Sequence, residues 1–145
     1  MFSRNRLQWC RLVLVSLGLA VATGCGNGLS PVAGALTWKD GSPAKELSGG
    51  QVVFEEAIKH VSSIGMIGND GTFTMSTIKP GDGVPTGHYQ VAILEHRPNA
   101  NAAGTQLVPA KLDLKYADLN SSGLEIDIKP GKNSVSFALE RAKNQ

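Results

Sequence analysis

From residue 32 onwards the chain alternates apolar and polar positions in short runs, each ended by Gly, Asp, Asn or Pro. A period of two places successive side chains on opposite faces of an extended strand. Leu124–Lys129 is the cleanest run, with Leu124, Ile126 and Ile128 on one face and Glu125, Asp127 and Lys129 on the other. Asn133–Glu140 repeats the pattern with Val135, Phe137 and Leu139, and Tyr89–Glu95 with Tyr89, Val91 and Ile93. Val32–Trp38 alternates more loosely and stops at Lys39-Asp40-Gly41, a turn signal. Gln51–Glu55 is β-branched and aromatic, while Val61–Ile67 and Thr72–Thr77 flank Asn69-Asp70-Gly71, a hairpin signal. These segments predict seven short strands, and no stretch among them sustains a helical period. The expected fold is all-β: a single antiparallel seven-stranded β-sandwich over residues 32–145.

The first part of the chain has a different pattern. Arg4, Arg6 and Arg11 stand in a segment without acids, and Leu12–Ala22 is an uncharged apolar run. A basic region, a short apolar region and small residues after it mark a secretory signal peptide. The run is too short for a permanent span, which needs about 20 apolar residues. Ala22-Thr23-Gly24-Cys25 resembles the lipobox of bacterial lipoproteins, in which small residues precede a Cys that receives a diacylglyceryl group on its sulfur. The family usually has Leu where this chain has Ala22. The resemblance implies a lipoprotein signal over residues 1–24, lipidation at Cys25, a tether over residues 25–31, and a domain held at a membrane by palmitate-type acyl chains. Ala20-Val21-Ala22 also fits ordinary signal cleavage, which would release a soluble chain starting at Thr23.

Removing residues 1–24 changes the electrostatics. Three of the 14 basic residues lie there, which leaves 11 basic against 12 acidic groups and a net charge of −1. No Lys/Arg cluster remains, and this excludes nucleic acid as the expected partner. Of the two cysteines, Cys10 leaves with the signal and Cys25 is consumed by lipid, so no disulfide is expected.

Val32–Ala44 (VAGALTWKDGSPA), followed by Gln-Val-Val-Phe, resembles the opening of small bacterial transthyretin-like domains, including carboxypeptidase-regulatory-like modules. Gly81–Ile93 and Lys115–Leu124 resemble short planctomycete lipoproteins of that type. The resemblance implies a prealbumin-like sandwich displayed in the cell envelope. That fold also includes a hydrolase of purine breakdown with a Tyr-Arg-Gly-Ser tail, which this chain lacks.

Candidate chemistry is sparse. Asp118-Leu119-Asn120-Ser121-Ser122-Gly123 matches half of a calcium loop, but Lys129 stands where the bidentate Glu would be. His60, His88 and His96 form no metal-ligand motif, and Glu55 and Glu56 point to opposite faces of a strand. Trp38, Phe54, Phe73, Tyr89 and Phe137 fall one per strand, as a sandwich core requires, and Tyr116 is the sixth mature aromatic. No catalytic, cofactor-binding or metal residues are expected. The expected role is non-enzymatic: a lipid-anchored envelope domain that contacts a membrane through its lipid and an unidentified envelope protein or glycan. Docking on loops or a sheet edge is the anticipated mode, with a carbohydrate-binding module as the alternative. Two segments outside the strands have room for an interaction surface, but the connection His96–Val108 is expected to be a mobile loop and the Pro/Gly-rich Lys79–Gly87 to fix the turn before the Tyr89 strand.

Overall fold

The computed structural model describes residues 28–97 and 108–143. Cys25, the signal peptide and residues 98–107 of the long connection lie outside the described residues.

The chain is all-β. The seven expected segments are strands β2 (Val32–Trp38), β3 (Gln51–Glu56), β4 (Ser62–Ile67), β5 (Thr72–Ser76), β7 (Gly87–Leu94), β8 (Leu124–Ile128) and β9 (Asn133–Leu139). Two further strands, β1 (Leu29–Ser30) and β6 (Val84–Pro85), pair as a two-stranded ribbon. Leu29 and Ser30, expected in the tether, are therefore already paired with the domain. The ribbon is held where Gly83, at φ +99°, lets its backbone approach the Ser30 carbonyl; a Cβ there would meet that oxygen at 2.3 Å.

The large sheet is one continuous ladder in the order β8-β7-β3-β4-β5-β2-β9. Five of its contacts are antiparallel, but β2 and β9 run parallel, from Val32 opposite Asn133 to Trp38 opposite Leu139. The expectation of an antiparallel sheet is corrected at that pair. A parallel neighbour needs a long crossover, and here the crossover is nearly the whole domain.

Local chemistry accounts for the tight turns. At the β4–β5 hairpin, Gly71 takes φ +82° and the Asp70 carboxylate accepts hydrogen bonds from the Thr72 amide and hydroxyl. The 39–42 turn after β2 works likewise, with Asp40 accepting from the Ser42 amide.

The sheet curls until its edges approach. β8 and β9 are the two edge strands, yet only residues 129–132 separate Ile128 from Asn133. Five Cα steps span at most about 18 Å, so the two edges, which are not paired with each other, come within that distance at that end. Across the interior the Phe54 ring of β3 stands edge-on to Phe137 of β9, with centroids 6.3 Å apart, and Phe54 also packs on Tyr89 at 6.0 Å. All six aromatics among the described residues are buried in this core, which bears out their assignment to packing. Gly34 is inward-facing because Phe73 and Val135 fill its side-chain space.

At the far end of the curl, the 114–117 turn and the short helix α1 (Leu119–Ser122) close the gap. The Tyr116 hydroxyl there accepts a hydrogen bond from the Glu140 amide.

Candidate functional site

The outward faces of the two halves of the sheet differ in charge. On β4, β5, β2 and β9, three side chains from each strand point away from the core: Ser62, Ile64, Met66; Thr72, Thr74, Ser76; Ala33, Ala35, Thr37; Ser134, Ser136, Ala138. None of these twelve is ionisable. Register aligns them in rows, for example Met66–Thr74–Ala33–Ser134. The outward positions of β3, β7 and β8, by contrast, include Glu55, His88, Glu125 and Asp127. Alternation in each strand dictates which residues share a face. The small residues of β2 and β9 leave that side of the uncharged face low, and Ile64 and Met66 rise on β4 as exposed apolar side chains.

Along β4 and β5 the face hollows into an open groove of about 710 Å³, bounded by Ile64, Met66, Thr74, Ser76, Ile78 and Pro80. The wall after β5 is held by Asp82, whose carboxylate accepts hydrogen bonds from the amides of Thr77, Ile78 and Lys79 at 2.8–3.0 Å. Those bonds hold the Asp82 carboxyl below its ordinary range. The Thr77 hydroxyl adds a bond to the Gly83 carbonyl at 2.7 Å.

The ionisable groups at the opposite end of the sheet pair with one another. Arg141 lies over the Trp38 ring at 4.2 Å and reaches Glu46 at 3.1 Å, and Glu46 also accepts from the Trp38 indole at 3.0 Å. The indole bond, and then the guanidinium, keep the Glu46 carboxyl low. Glu140 sits between Lys39 and Lys115, and these two ammonium groups bring its carboxyl down to about 2. Such a network ties the ends of β2 and β9 together.

The histidines remain apart. His88 of β7 faces Asp127 of β8 at 2.8 Å through Nδ1 and Glu125 at 3.6 Å through Nε2. The Asp127 hydrogen bond raises its affinity for a proton. The two carboxylates approach opposite nitrogens of one ring, so they do not converge on a common point. His60, at φ 54°, lies 3.7 Å from Glu55 in an exposed turn, and the His96 ring rests against Gly49. Among the described residues no three His, Cys, Asp or Glu side chains are grouped to hold a metal ion. Asp118 caps α1, accepting from the amides of Asn120 and Ser121, and Gly123 ends the helix in the left-handed region. The Asp/Asn/Ser-rich stretch is thus a capped helical turn. Glu56 is buried and binds the amides of Ile58 and Lys59, while Glu55 faces outward.

No protein-family model matches the chain. No curated protein matches it either. Among solved structures it is similar to a DUF3823 family protein from Parabacteroides merdae, with 18% identity, a TM-score of 0.40, and coverage of 78% of this chain and 45% of that one. It is also similar to a 9R-lipoxygenase from Cyanothece, with 14% identity, a TM-score of 0.39, and coverage of 81% and 17% respectively. The chain thus spans less than half the length of either structure. Likenesses at this level assign neither a family nor an activity.

The uncharged face was not singled out from the sequence. Its signal is present there, since every polar position between the apolar ones of β4, β5, β2 and β9 is Ser or Thr rather than Asp, Glu, Lys or Arg.

Proposed function

We propose that this chain is a non-enzymatic interaction domain of the cell envelope, anchored by lipid on Cys25, whose uncharged sheet face receives a protein partner. The curled seven-stranded sheet is taken as a transthyretin-like domain, in keeping with the sequence resemblance. One observation carries the reading: twelve outward side chains over four strands without a charge, beside a half with four ionisable ones. Depletion of charge at the centre of a patch is the compositional mark of an interface. Small Ser, Thr and Ala side chains let a second backbone approach closely, and the Ile64–Met66 ridge supplies apolar anchors at one side. The buried aromatics leave no stacking platform for a sugar among the described residues, so a protein is favoured over a glycan.

The test is site-specific photo-crosslinking in cells, with the reactive residue placed at Thr74 or Ser136 on the face and at Gln90 on the other half. Discrete adducts from the first two positions and none from the third are expected. Adducts that do not depend on position, or none from the face, would refute the reading. Intact mass of the mature protein from membranes tests the anchor separately: a chain starting at Cys25 with acyl mass is expected, and one starting at Thr23 removes it.

A further inference from the structure

The two most exposed large apolar side chains of the described residues are Ile58, at 84%, and Ile78, at 79%. They lie at the same end of the molecule. Ile58 is in the turn joining β3 to β4, and Ile78 follows β5; Glu55 pairs with Ser62 and Ile64 with Ser76, so both loops leave the sheet at one pole. Each isoleucine is followed by a lysine, Lys59 and Lys79, and each Ile-Lys pair is held by one carboxylate. The Glu56 side chain accepts from the Ile58 and Lys59 amides, and the Asp82 side chain accepts from those of Ile78 and Lys79. Two loops with the same construction therefore hold an isoleucine out in water instead of letting it fold back on the sheet.

That pole is also where the domain joins its N-terminal segment. Thr77, next to Ile78, bonds to Gly83, and Gly83 packs on Ser30 of β1. Cys25 precedes Leu29 by four residues, a reach of at most about 14 Å. A domain on so short a tether presents this pole to whatever the tether is fixed in. Lys129 and Lys132, in the turn between β8 and β9, are at the same pole. Among the described residues, Lys59, Lys79, Lys129 and Lys132 have no carboxylate within ion-pair distance; at the other pole Lys39 and Lys115 are paired, while Lys45, Lys111 and Lys143 are not. The acids here are engaged: Glu56 and Asp82 with loop amides, Glu55 with His60, and Asp127 with His88. Leu114, also exposed, stands instead at the ion-paired pole, next to Lys115.

We infer that the pole bearing Ile58-Lys59 and Ile78-Lys79 lies against the lipid bilayer, with both isoleucines in the headgroup region and the lysines at the phosphate level. Apolar side chains beside lysines are the make-up of interfacial membrane contacts, and lysine stems reach along apolar surroundings to keep the ammonium in water. The contact fixes the domain's tilt on its anchor, so the uncharged face stands off the membrane at a defined angle. This inference rests on the reading of Cys25 as the lipid-bearing residue.

The experiment uses the full chain, processed and purified from membranes and reconstituted in phosphatidylethanolamine/phosphatidylglycerol vesicles containing brominated acyl chains. Three variants, Ile58→Cys, Ile78→Cys and Asn69→Cys at the opposite pole, carry a bimane fluorophore, and intact mass is read on each. All three positions are exposed, so folding is preserved. An acylated chain with labels at 58 and 78 quenched at least about threefold more than at 69 is the expected result. An acylated chain with all three labels equally unquenched overturns the membrane contact and leaves the anchor intact. An unacylated chain ends the anchor reading; quenching at 58 and 78 on added vesicles then still supports the contact, and its absence overturns it. A bimane shift at 58 and 78 that follows protein concentration without bromine quenching overturns it in favour of a second copy of the chain.

Discussion

Closure of the sheet makes an energetic demand that can be measured. Phe54 belongs to β3 and Phe137 to β9, four places apart in the ladder, yet their rings meet at 6.3 Å with planes at 86°. Only a sheet curled on itself brings them together. Replacing either by Leu keeps an apolar side chain in place and costs on the order of 1–2 kcal/mol in lost volume. If the rings touch, the double variant departs from additivity by about 0.5–1.5 kcal/mol, the worth of an edge-to-face pair. A domain of this length has a stability of roughly 6–17 kcal/mol, so all four proteins remain folded. Urea unfolding of residues 25–145 carrying Cys25→Ser, followed by fluorescence of Trp38, the one tryptophan of that segment, gives the four free energies. Phe54 with Tyr89 is the positive control, because β3 and β7 are ladder neighbours however the sheet curves. Coupling for Phe54–Tyr89 together with a Phe54–Phe137 value within about 0.3 kcal/mol of zero would refute the closed sheet.

Three other outcomes follow from the same geometry. Glu140 has a folded carboxyl near 2 against 4.5 in the open chain, so its contribution is present above about pH 4.5 and fades as pH falls towards 2. Wild type should therefore exceed Glu140→Gln by a constant margin at neutral pH, and their urea midpoints should converge on acidification; a margin unchanged at pH 2.5 contradicts the pairing with Lys39 and Lys115. Gly34→Ala puts a methyl into the space of Phe73 and Val135 and should destabilise by about 1–3 kcal/mol in urea titration, with a neutral result arguing against that packing. Thr74→Lys, on the exposed face, should change stability by less than about 0.5 kcal/mol and yet abolish crosslinks from Ser136; a partner that still binds is not using the face.

Strand positions were legible because alternation and turn chemistry are local. Asn69-Asp70-Gly71 and the Leu124 and Asn133 runs specify their elements within a residue or two of the observed bounds. Which strand neighbours which was not legible for β2 and β9, whose residues pair across about one hundred positions; no local signal distinguishes a parallel partner from an antiparallel one. The β1–β6 ribbon has two residues on each side, too few for a period to show. The candidate face was missed for a different reason. Attention to the inward positions identifies the core, while Ser134, Ser136 and Thr74 matter for what they are not. Ile58 and Ile78 fall between the predicted strands in the sequence, and only the strand pairing brings their two loops to one pole. Cys25 rests on sequence pattern, because it lies outside the described residues.

The parallel pairing of β2 with β9 has a mechanical consequence. Both strands start at the pole next to the N-terminal segment and end at the other, so force applied between the start of β2 and the end of β9 runs along the ladder. Their seven registered pairs, from Val32–Asn133 to Trp38–Leu139, would then be loaded together in shear, whereas strands peeled from one end break bond by bond. Forced unfolding is governed by the unfolding barrier, and shear raises that barrier by requiring the bonds to fail at once. A domain built this way resists a pull between its two poles more than one whose terminal strands peel apart.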